Sequence, residues 1–455
     1  MRERYTVILR QNATIIGPIT IERMSYGAEA IAHMPDGKCV FVRGAVTGDV
    51  CEAAITEEAK HYLRAEVTRI LAASPYRVKP AYTYDEQAGG CPWANLAYDE
   101  QLKAKKANVV DALIRTAHIE PDKAQTLVGD VIPSKKQWGY RNKIELSAST
   151  EHNTFYLGMY DPIQKRLIQV LSCALVDKRF SKLTKSITGA LQFIARSQEL
   201  GIERIALRTS VRTKDVELAL WTTPGAFPRG YVVKILNSAA PELTSIVRVL
   251  TKGSRRARRV CGVEKLYGKG YWEELIAGRR MRISAPSFFQ VNTHNAEKLI
   301  ERVMNDLDVQ PNETALDLYC GAGTFTLPLA ERARDVIGVE AQGSSIQDLR
   351  RHIKLFNLKN VQAIGGDALR EYPKAHADVI VVDPPRAGLE AGVCDKLSQS
   401  GARAIAYVSC DPQTLARDIR RFIDKGAYLP AKITPVDLFP QSWHIENVCL
   451  MLKAD

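Results

Sequence analysis

Short apolar runs alternate with helical stretches in the last third of the chain, and this alternation restricts the fold more than any other feature of the sequence. The runs are rich in Val and Ile and read ALDLYC, DVIGVE, VQAIGG, DVIVVD and AIAYVSC. Strands that are buried on both faces and joined by helices form a doubly wound parallel sheet. We therefore predict an α/β domain over residues 282–455, with ligands at the carboxyl ends of its strands.

The first part of the chain has a different sequence pattern, with short runs typical of β-strands. Between residues 13 and 71, four or five short β-type runs are broken by turn signals at Gly27 and at residues 35–37. Many short strands in so few residues are typical of a small barrel of the oligonucleotide-binding (OB) kind. We expect this OB-like barrel at residues 10–74, followed by a linker that contains prolines.

The middle of the chain, residues 75–281, predicts an α+β domain. Apolar residues recur at helical spacing from about 98 to 119, and we expect this amphipathic helix to pack on the C-terminal domain. Strand-like runs follow after residue 129, and we interpret them as an antiparallel region with helices on one face. These runs are KIELSAS, RIALRTSV, DVELALWTT and GYVVKIL.

The net charge favours a polyanionic partner. The chain carries 63 Lys and Arg against 51 Asp and Glu, a formal charge of +12, and such a surface concentrates nucleic acid. A basic cluster lies in the central region, at Lys252, Arg255, Arg256, Arg258 and Arg259. Two interpretations stay open for this cluster: a solvated loop, or contact with RNA phosphates.

Neither a signal peptide nor a membrane-spanning run is visible in the sequence. The first residues interleave charged and apolar side chains, and no uncharged stretch approaches the ~18 residues of a transmembrane helix. The nine cysteines are odd in number and widely spaced, which indicates reduced thiols rather than a disulfide framework. We expect a cytoplasmic protein with no membrane partner.

A glycine-containing turn follows the first strand of the α/β domain. Gly321 and Gly323 lie between that strand and a helix, where glycines let the backbone approach a ligand closely. A dinucleotide site would need a third glycine at the position of Thr326. A nicotinamide cofactor is therefore disfavoured.

Acidic residues lie at the ends of four successive strands of this domain. A single acid is often only a helix cap, whereas four acids at one sheet edge indicate a ligand with a ribose and a cationic amino group. S-adenosylmethionine has both, together with a sulfonium, and fits the pattern better than NAD. The four acids are Asp317, Glu340, Asp367 and Asp383.

Cys410 differs from the other cysteines in its position. A lone cysteine is usually a small buried hydrophobe. Cys410 instead follows the fifth strand at the open edge of the sheet, just before a helix whose start could stabilise a thiolate. The rigid DPPR loop from Asp383 reaches the same edge, and Glu446 follows an aromatic residue and a histidine before the last strand.

Several motifs resemble those of the RNA 5-methyluridine (uracil-C5) methyltransferase family, in particular its 23S rRNA type with an N-terminal TRAM domain. The motifs are SFFQVN from Ser287, DLYCGAGTFTLPLA from Asp317, DPPRAGL from Asp383, YVSCDPQTLARD around Cys410 and FPQSWHIE ending at Glu446. The stretch GAEAIAHMPDGKCVFVRGAVTGD resembles the TRAM barrel, and WGYRNK resembles part of the family's central domain.

The resemblance implies a class I Rossmann-like methyltransferase that transfers a methyl group from S-adenosyl-L-methionine to carbon 5 of a uridine in RNA. It implies Cys410 as the nucleophile that adds to carbon 6 of uracil, and Glu446 as the general base that removes the proton from carbon 5. The positions implied to bind the cofactor are Gln290, Tyr319, Gly321, Gly323, Thr324, Glu340, Asp367 and Asp383. The target base should be flipped into the pocket, and the positions expected to contact it are Phe288, Phe289, Arg141 and Arg386.

One departure concerns the iron–sulfur cluster that many members of this family carry. Its four ligand positions read Tyr82, Ala88, Cys91 and Cys173 in this chain. Two of the four cysteines are therefore missing. We predict neither an iron–sulfur cluster nor another metal.

Other classes of protein fit the residues less well. Cytosine carbon-5 methyltransferases carry a Pro-Cys pair where this chain has Pro385-Arg386, and amino-group methyltransferases favour an aromatic residue there. A non-catalytic RNA assembly factor would tolerate loss of Cys410 and Glu446, and both are present. The RNA stays open: 23S ribosomal RNA is preferred because of the barrel, and the T-loop uridine of transfer RNA is the alternative. We expect a monomer without an obligate protein partner.

Overall fold

The strands of the protein form three large sheets and one two-stranded hairpin over the part of the chain described here. The computed structural model describes residues 14–83, 90–151, 154–161, 166–253 and 258–454. Ala88 of the cluster motif and Arg255 and Arg256 of the basic cluster lie outside these residues. No helix within the described ranges is long and apolar enough to cross a membrane.

The N-terminal sheet consists of β1 (Ile15–Thr20), β2 (Arg23–Met24), β3 (Glu29–His33), β4 (Cys39–Arg43), β5 (Val50–Glu58) and β6 (Tyr62–Ala72). The strand order is β1-β5-β6-β4-β3-β2, and only β4 and β6 pair in parallel. Small and branched side chains such as Ala30, Val40 and Ala53 form its core together with the fully buried Trp93. The sequence predicts four or five strands, and the two-residue β2 is too short to leave an alternating pattern.

Two helices follow, α1 (Tyr98–Arg115) and α2 (Pro121–Leu127). The predicted helix near 98–119 therefore ends earlier than expected, and His118 adopts a left-handed backbone with φ 53°. The apolar side of α1, with Val109 and Leu113, lies in the same core as the outer helices of the C-terminal sheet.

The central sheet consists of β7 (Lys143–Glu151), β8 (Thr154–Asp161), β9 (Arg166–Gln169), β10 (Ile202–Thr209), β11 (Val216–Thr222), β12 (Ser245–Lys252) and β13 (Arg259–Gly268). Its order is β13-β12-β11-β10-β7-β8-β9. Helices α3 (Leu183–Ala195) and α4 (Arg229–Ala239) share a core with this sheet.

The prediction of GYVVKIL as a strand is wrong, because this run lies in α4. β11 and β12 are parallel, and a parallel pair needs a crossover connection, which is usually a helix. Val232 and Leu236 lie four residues apart and are both fully buried, as expected for one face of a helix. The central sheet is accordingly mixed rather than purely antiparallel.

A hairpin, β14 (Trp272–Ile276) and β15 (Arg279–Ile283), leads to the C-terminal α/β sheet. Its strands are β16 (Thr314–Leu318), β17 (Asp335–Glu340), β18 (Val361–Gly365), β19 (Val379–Val382), β20 (Ala404–Ser409), β21 (Tyr428–Val436) and β22 (Glu446–Lys453). The helices are α5 (Thr293–Leu307), α6 (Thr326–Ala330), α7 (Gly343–Leu355), α8 (Ala391–Ser398) and α9 (Pro412–Asp424).

The strand order of the C-terminal sheet is β18-β17-β16-β19-β20-β22-β21, and the first five strands are parallel. The predicted doubly wound α/β fold is confirmed. The last two strands run antiparallel; β21 was not predicted, because Pro430 and Pro435 are unusual in a strand and are tolerated at an edge. The strand order reverses at β16, which places a crevice at the carboxyl ends of β16 and its neighbours.

Candidate active site

The loop after β16 has an unusual backbone. Tyr319, Gly321 and Gly323 have φ values of 63°, 56° and 101°. A Cβ atom at Gly323 would lie 2.8 Å from Cδ1 of Leu349 on α7, so only glycine lets the loop pack this closely. Tyr319 holds a conformation that is uncommon for a residue with a side chain, and such residues concentrate at binding sites.

Glu340, at the end of β17, is fixed by backbone donors. The amide of Gly321 donates to Oε2 at 2.9 Å, and the amide of Gln342 donates to Oε1 at 2.5 Å. Each carboxylate oxygen keeps a further lone pair. The geometry leaves Glu340 able to accept a pair of neighbouring hydroxyl groups.

Asp317 and Asp383 form no ion pair with a cation in the described part of the chain. Burial, with the charges of Asp383 and Glu340 adding to it, raises the pKa of Asp317 to about 8. Burial and the charge of Glu340 raise the pKa of Asp383 to about 7. Thr326 donates to Oδ2 of Asp317 at 2.6 Å, whereas the buried Oδ1 has no hydrogen-bond partner in the described part of the chain. A cationic ligand would relieve this concentration of acids.

Asp367, after β18, is exposed and caps a turn. Its Oδ1 accepts from the amides of Leu369 and Arg370, each at 3.1 Å. Its position at the sheet edge agrees with the sequence pattern. The capping role that a single acid often has is present as well.

His352 supports the same loop and was not predicted from the sequence. The amide of Arg282 donates to Nε2 at 2.8 Å, so Nδ1 carries the proton and donates to the carbonyl of Ala322 at 3.0 Å. Burial lowers the pKa of His352. A neutral imidazole therefore connects the hairpin to the loop of Gly321 and Gly323.

Cys410 lies between β20 and α9 and is half-buried. Burial, with the charge of Glu446 next in size, raises the pKa of the thiol to about 12, against the opposing effect of Arg386. Stabilisation of a thiolate by the helix start stays a prediction. The first helix amides, those of Gln413 and Thr414, donate to Oδ1 of Asp411.

Glu446 begins β22 and is buried. β20 and β22 pair in a register that places Ser409 opposite Asn447, so the strand pairing brings Cys410 and Glu446 to the same edge. Burial, with a contribution from Asp383, raises the pKa of Glu446 well above its usual range, while Arg386 lowers it. Once ionised, this carboxylate is a strong proton acceptor.

Arg386 is exposed on the loop after β19, and the loop is clamped to α9. Oδ2 of Asp418 accepts from the Leu389 amide and from the Tyr407 hydroxyl, each at 2.8 Å. Arg417 donates to the carbonyl of Ala387 at 2.8 Å. Helix α9 therefore positions both the nucleophile candidate and the loop of Arg386.

The SFFQVN segment places only one of its two phenylalanines at the surface. Phe288 is 59% exposed, whereas Phe289 is 4% exposed and packs edge-on against Trp272 at 5.5 Å between ring centroids. Stacking of Phe289 on a substrate base is therefore wrong, because its ring belongs to the core. Gln290 is buried, and its carbonyl accepts from Nδ2 of Asn142 at 2.8 Å.

The remaining predicted positions lie around the same edge. Thr324 is half-buried in the glycine-containing loop, and Arg141 is half-buried with its buried Nε lacking a hydrogen-bond partner in the described residues. Arg141 contributes to lowering the pKa of His444 to about 4, after the larger effects of burial and Arg386. His444 is thus neutral at ordinary pH.

The two cysteines at the cluster positions are both buried. Burial, with Cys173 next in size, raises the pKa of the Cys91 thiol, so the two thiols lie near each other. Tyr82 lies against Trp138, with 5.0 Å between ring centroids. The described residues contain no group of three or more His, Cys, Asp or Glu side chains arranged for a metal; the absence of a cluster stays a prediction.

The loop before Glu446 is held by α1, which sequence reasoning missed. Nζ of Lys105 contacts Oδ1 of Asp437 at 2.6 Å in a fully buried ion pair. The Gln101 side chain donates to Oε1 of Gln441 at 3.0 Å and accepts from the Gln441 amide at 2.9 Å. Polar residues within a helical pattern are usually predicted to face solvent. No signal in the sequence therefore identified Gln101 and Lys105 as buried contacts.

Comparisons with known proteins agree with this geometry. The family model described as tRNA (uracil-5-)-methyltransferase matches residues 267–376 and 366–454, and the TRAM domain model matches residues 16–68. A protein of Thermosynechococcus vestitus named as an RNA methyltransferase is 32% identical over 98% of this chain and 100% of its own length. A protein of Clostridium tetani named in the same way is 30% identical over 90% of this chain and 91% of its own length.

A solved structure shows the same fold over nearly the whole chain. The crystal structure of Pyrococcus abyssi tRNA (uracil-54, C5)-methyltransferase in complex with S-adenosyl-L-homocysteine has a TM-score of 0.72 and 24% sequence identity, and covers 95% of this chain and 100% of that chain. The family match and the full-length relatives together show that the chain is an RNA methyltransferase and belongs to the tRNA (uracil-5-)-methyltransferase family.

Proposed function

We propose that this enzyme transfers a methyl group from S-adenosylmethionine to carbon 5 of a uridine in RNA, through a covalent adduct between Cys410 and carbon 6 of the base. The observation that carries the proposal is the meeting of Cys410 and Glu446 at the crevice of the α/β sheet, beside the acids at the ends of β16, β17 and β19. Family membership supports the same reaction.

The acidic edge fits S-adenosylmethionine. That molecule supplies an electrophilic methyl group on a sulfonium. Glu340 is oriented to accept its ribose hydroxyls, and the buried Oδ1 of Asp317 has no hydrogen-bond partner among the described residues. We assign cofactor contacts along the same edge to the remaining positions, Gln290, Tyr319, Gly321, Gly323, Thr324 and Asp367.

Cys410 and Glu446 perform the two steps at the uracil ring. The half-buried Cys410 thiol first gives its proton to water, the thiolate Sγ bonds to carbon 6, and the electron pair of the ring double bond makes carbon 5 nucleophilic. After carbon 5 has gained the methyl group, the Glu446 carboxylate removes its proton, the double bond re-forms, and Sγ leaves. The charge of Asp383 raises the pKa of both residues, so pairing Asp383 with a cation favours ionisation of the thiol.

We assign the RNA to the two N-terminal parts of the chain. Residues 10–74 and 75–281 would hold folded RNA through phosphate contacts, while residues 282–455 carry the reaction. The exposed Phe288 is our candidate for stacking on the flipped base, and Arg141 and Arg386 for contacts with it. We place the enzyme in the cytoplasm as a monomer.

For the RNA, 23S ribosomal RNA is our first candidate and the T-loop of transfer RNA the second. The second is favoured by the likeness in fold to the Pyrococcus abyssi tRNA (uracil-54, C5)-methyltransferase, which covers 95% of this chain. Incubation of the enzyme with radiolabelled S-adenosylmethionine and each unmodified transcript, followed by mass-spectrometric mapping, decides between them. Label on transfer RNA alone would exclude the ribosomal assignment.

Two variants test the chemistry. Cys410→Ala should abolish methyl transfer, because it removes the thiol proposed to add to carbon 6. Glu446→Gln should accumulate a covalent protein–RNA adduct that survives denaturing electrophoresis, because the proton on carbon 5 cannot leave. Unchanged turnover by Cys410→Ala would contradict the mechanism. Cys261→Ala, which removes an exposed thiol distant from Cys410 in the sequence, is the matched control.

A further inference from the structure

The turn between β2 and β3 of the N-terminal sheet reaches the reaction centre. Tyr26 lies in this turn, is half-buried, and packs against the core that includes α1 and α9. Its hydroxyl donates to the backbone carbonyl of Cys410 at 3.1 Å, across 384 positions of sequence. A residue of the N-terminal part of the chain therefore contacts the backbone of the proposed nucleophile.

Three further contacts hold this turn in place. Nε1 of the fully buried Trp93 donates to the carbonyl of Gly27 at 2.9 Å, and the amide of Trp93 donates to the carbonyl of Gln441 at 3.0 Å. Arg23 forms an ion pair with Asp111 of α1 at 2.8 Å. The turn is thus tied both to α1 and to the loop that leads to Glu446.

The surroundings of the Tyr26 hydroxyl are those of the reaction centre. Burial raises its pKa, and Asp411, Cys410 and Glu446 add to the rise while Arg386 opposes it. The phenol therefore stays protonated and remains a hydrogen-bond donor. A phenol that donates a hydrogen bond to a carbonyl restrains that carbonyl. The peptide between Cys410 and Asp411 therefore cannot rotate freely while the N-terminal sheet is packed against this site.

We propose that Tyr26 is a positioning residue for the methyl-transfer reaction: it fixes the peptide of Cys410 so that Sγ points toward carbon 6 of the flipped base. This inference rests on the proposed role of Cys410 as the nucleophile. It assigns the N-terminal sheet a part in the chemical step, beyond any contribution to RNA affinity. Small displacements of a nucleophile cost large factors in rate.

The test compares Tyr26→Phe with wild type at saturating RNA. An RNA that carries 5-fluorouridine at the target position makes the adduct accumulate, because carbon 5 then holds no removable proton. We expect Tyr26→Phe to form the adduct about three- to tenfold more slowly, the effect of one lost hydrogen bond, with the RNA dissociation constant and the thermal midpoint unchanged. Tyr26→Ala, which also removes the ring, should be slower still.

Tyr62→Phe is the matched control, because it removes a phenol of the same sheet whose hydroxyl donates to Glu57 instead. Equal adduct rates for Tyr26→Phe and wild type would overturn the inference. So would a loss seen only as weaker RNA binding, since Tyr26 would then act through the RNA. Absence of any adduct in the wild-type enzyme would instead overturn the proposed function, so the two failures are distinguishable.

Discussion

At the scale of single residues, the site is dominated by carboxyl groups, and among them Glu446 is influenced by the cation of Arg386. Asp317, Asp383 and Glu446 all have raised pKa values because burial disfavours their charged forms. Buried unpaired charge reduces stability. The fold therefore gives up stability at Asp317 and Asp383, where a cationic ligand is expected to bind.

Replacement of Asp383 should reveal this loss of stability. The pKa of Asp383 is about 7 in the fold against an ordinary value of 3.8, so wild-type stability falls as the pH rises through this window, where only the unfolded chain has lost its proton. Asn cannot ionise. We expect Asp383→Asn to raise the free energy of unfolding by about 1–3 kcal/mol at pH 8, and by much less at pH 4.

Urea unfolding at both pH values measures this difference, and calorimetric titration should show weaker S-adenosylmethionine binding by the same variant. Asp367→Asn, which removes an exposed acid of the same edge, is the matched control. A stabilisation by Asp383→Asn that does not change with pH would contradict the explanation.

The charge of Arg386 should control the reactivity of Cys410. The pKa of the Cys410 thiol is raised to about 12, and Arg386 acts to lower it. Only the thiolate form is alkylated. We expect Arg386→Gln to slow alkylation of Cys410 by iodoacetamide at pH 8 by about threefold. The wild-type rate should rise with pH without a plateau up to about pH 10, since the thiol is still largely protonated there.

Peptide mapping of the alkylated enzyme distinguishes Cys410 from the exposed Cys261. Arg420→Gln, on α9 but paired with Asp424, is the matched control. A faster reaction in Arg386→Gln would show that the electrostatic assignment is wrong.

At the scale of secondary-structure elements, α1 is the support of the catalytic edge. It presents Gln101 and Lys105 to the loop before Glu446 and Asp111 to the N-terminal sheet. Loop and helix ends gain precision when packed side chains fix them. Helix α1 thus links the two parts of the chain that approach Cys410.

Breaking the buried ion pair of α1 should be costly. Lys105→Met leaves the Asp437 carboxylate buried without its cation, and we expect a loss of about 3–5 kcal/mol in the free energy of unfolding. Lys103→Met, on the exposed side of the same helix, should leave stability unchanged. Chemical denaturation of the three proteins checks this, and an equal effect of both variants would refute the structural role of the pair.

At the scale of the whole molecule, the excess of positive charge is the feature that bears on RNA binding. The formal charge of the chain is +12, and exposed ion pairs contribute little to stability. The charge is therefore more useful for attracting a polyanion than for holding the fold together.

RNA binding should accordingly depend strongly on salt. We expect the RNA dissociation constant to rise by at least about tenfold between 50 and 200 mM salt, because each neutralised phosphate releases condensed counterions. Filter binding across a salt series gives the slope of the logarithm of the RNA binding constant against the logarithm of the salt concentration. Arg259→Gln, in the basic cluster, should reduce the slope, whereas Arg334→Gln, which pairs with Asp335, should not. A slope near zero would contradict electrostatic recognition.

Local patterns in the sequence determined the α/β sheet and the positions of Cys410, Glu340 and Asp383 at its edge, since strand ends follow from periodicity and chain order alone. Where the pattern was ambiguous it failed: a four-residue spacing in α4 was interpreted as a strand, and the prolines of β21 concealed an edge strand.

Only the tertiary structure decided what surrounds those positions. The burial of Phe289, the protonated state of Cys410 and the contact of Tyr26 with the nucleophile's carbonyl all depend on packing between segments far apart in the chain. Periodicity reports which side of an element is buried. It carries no information about which distant element covers that side, and that choice sets the electrostatics of the site.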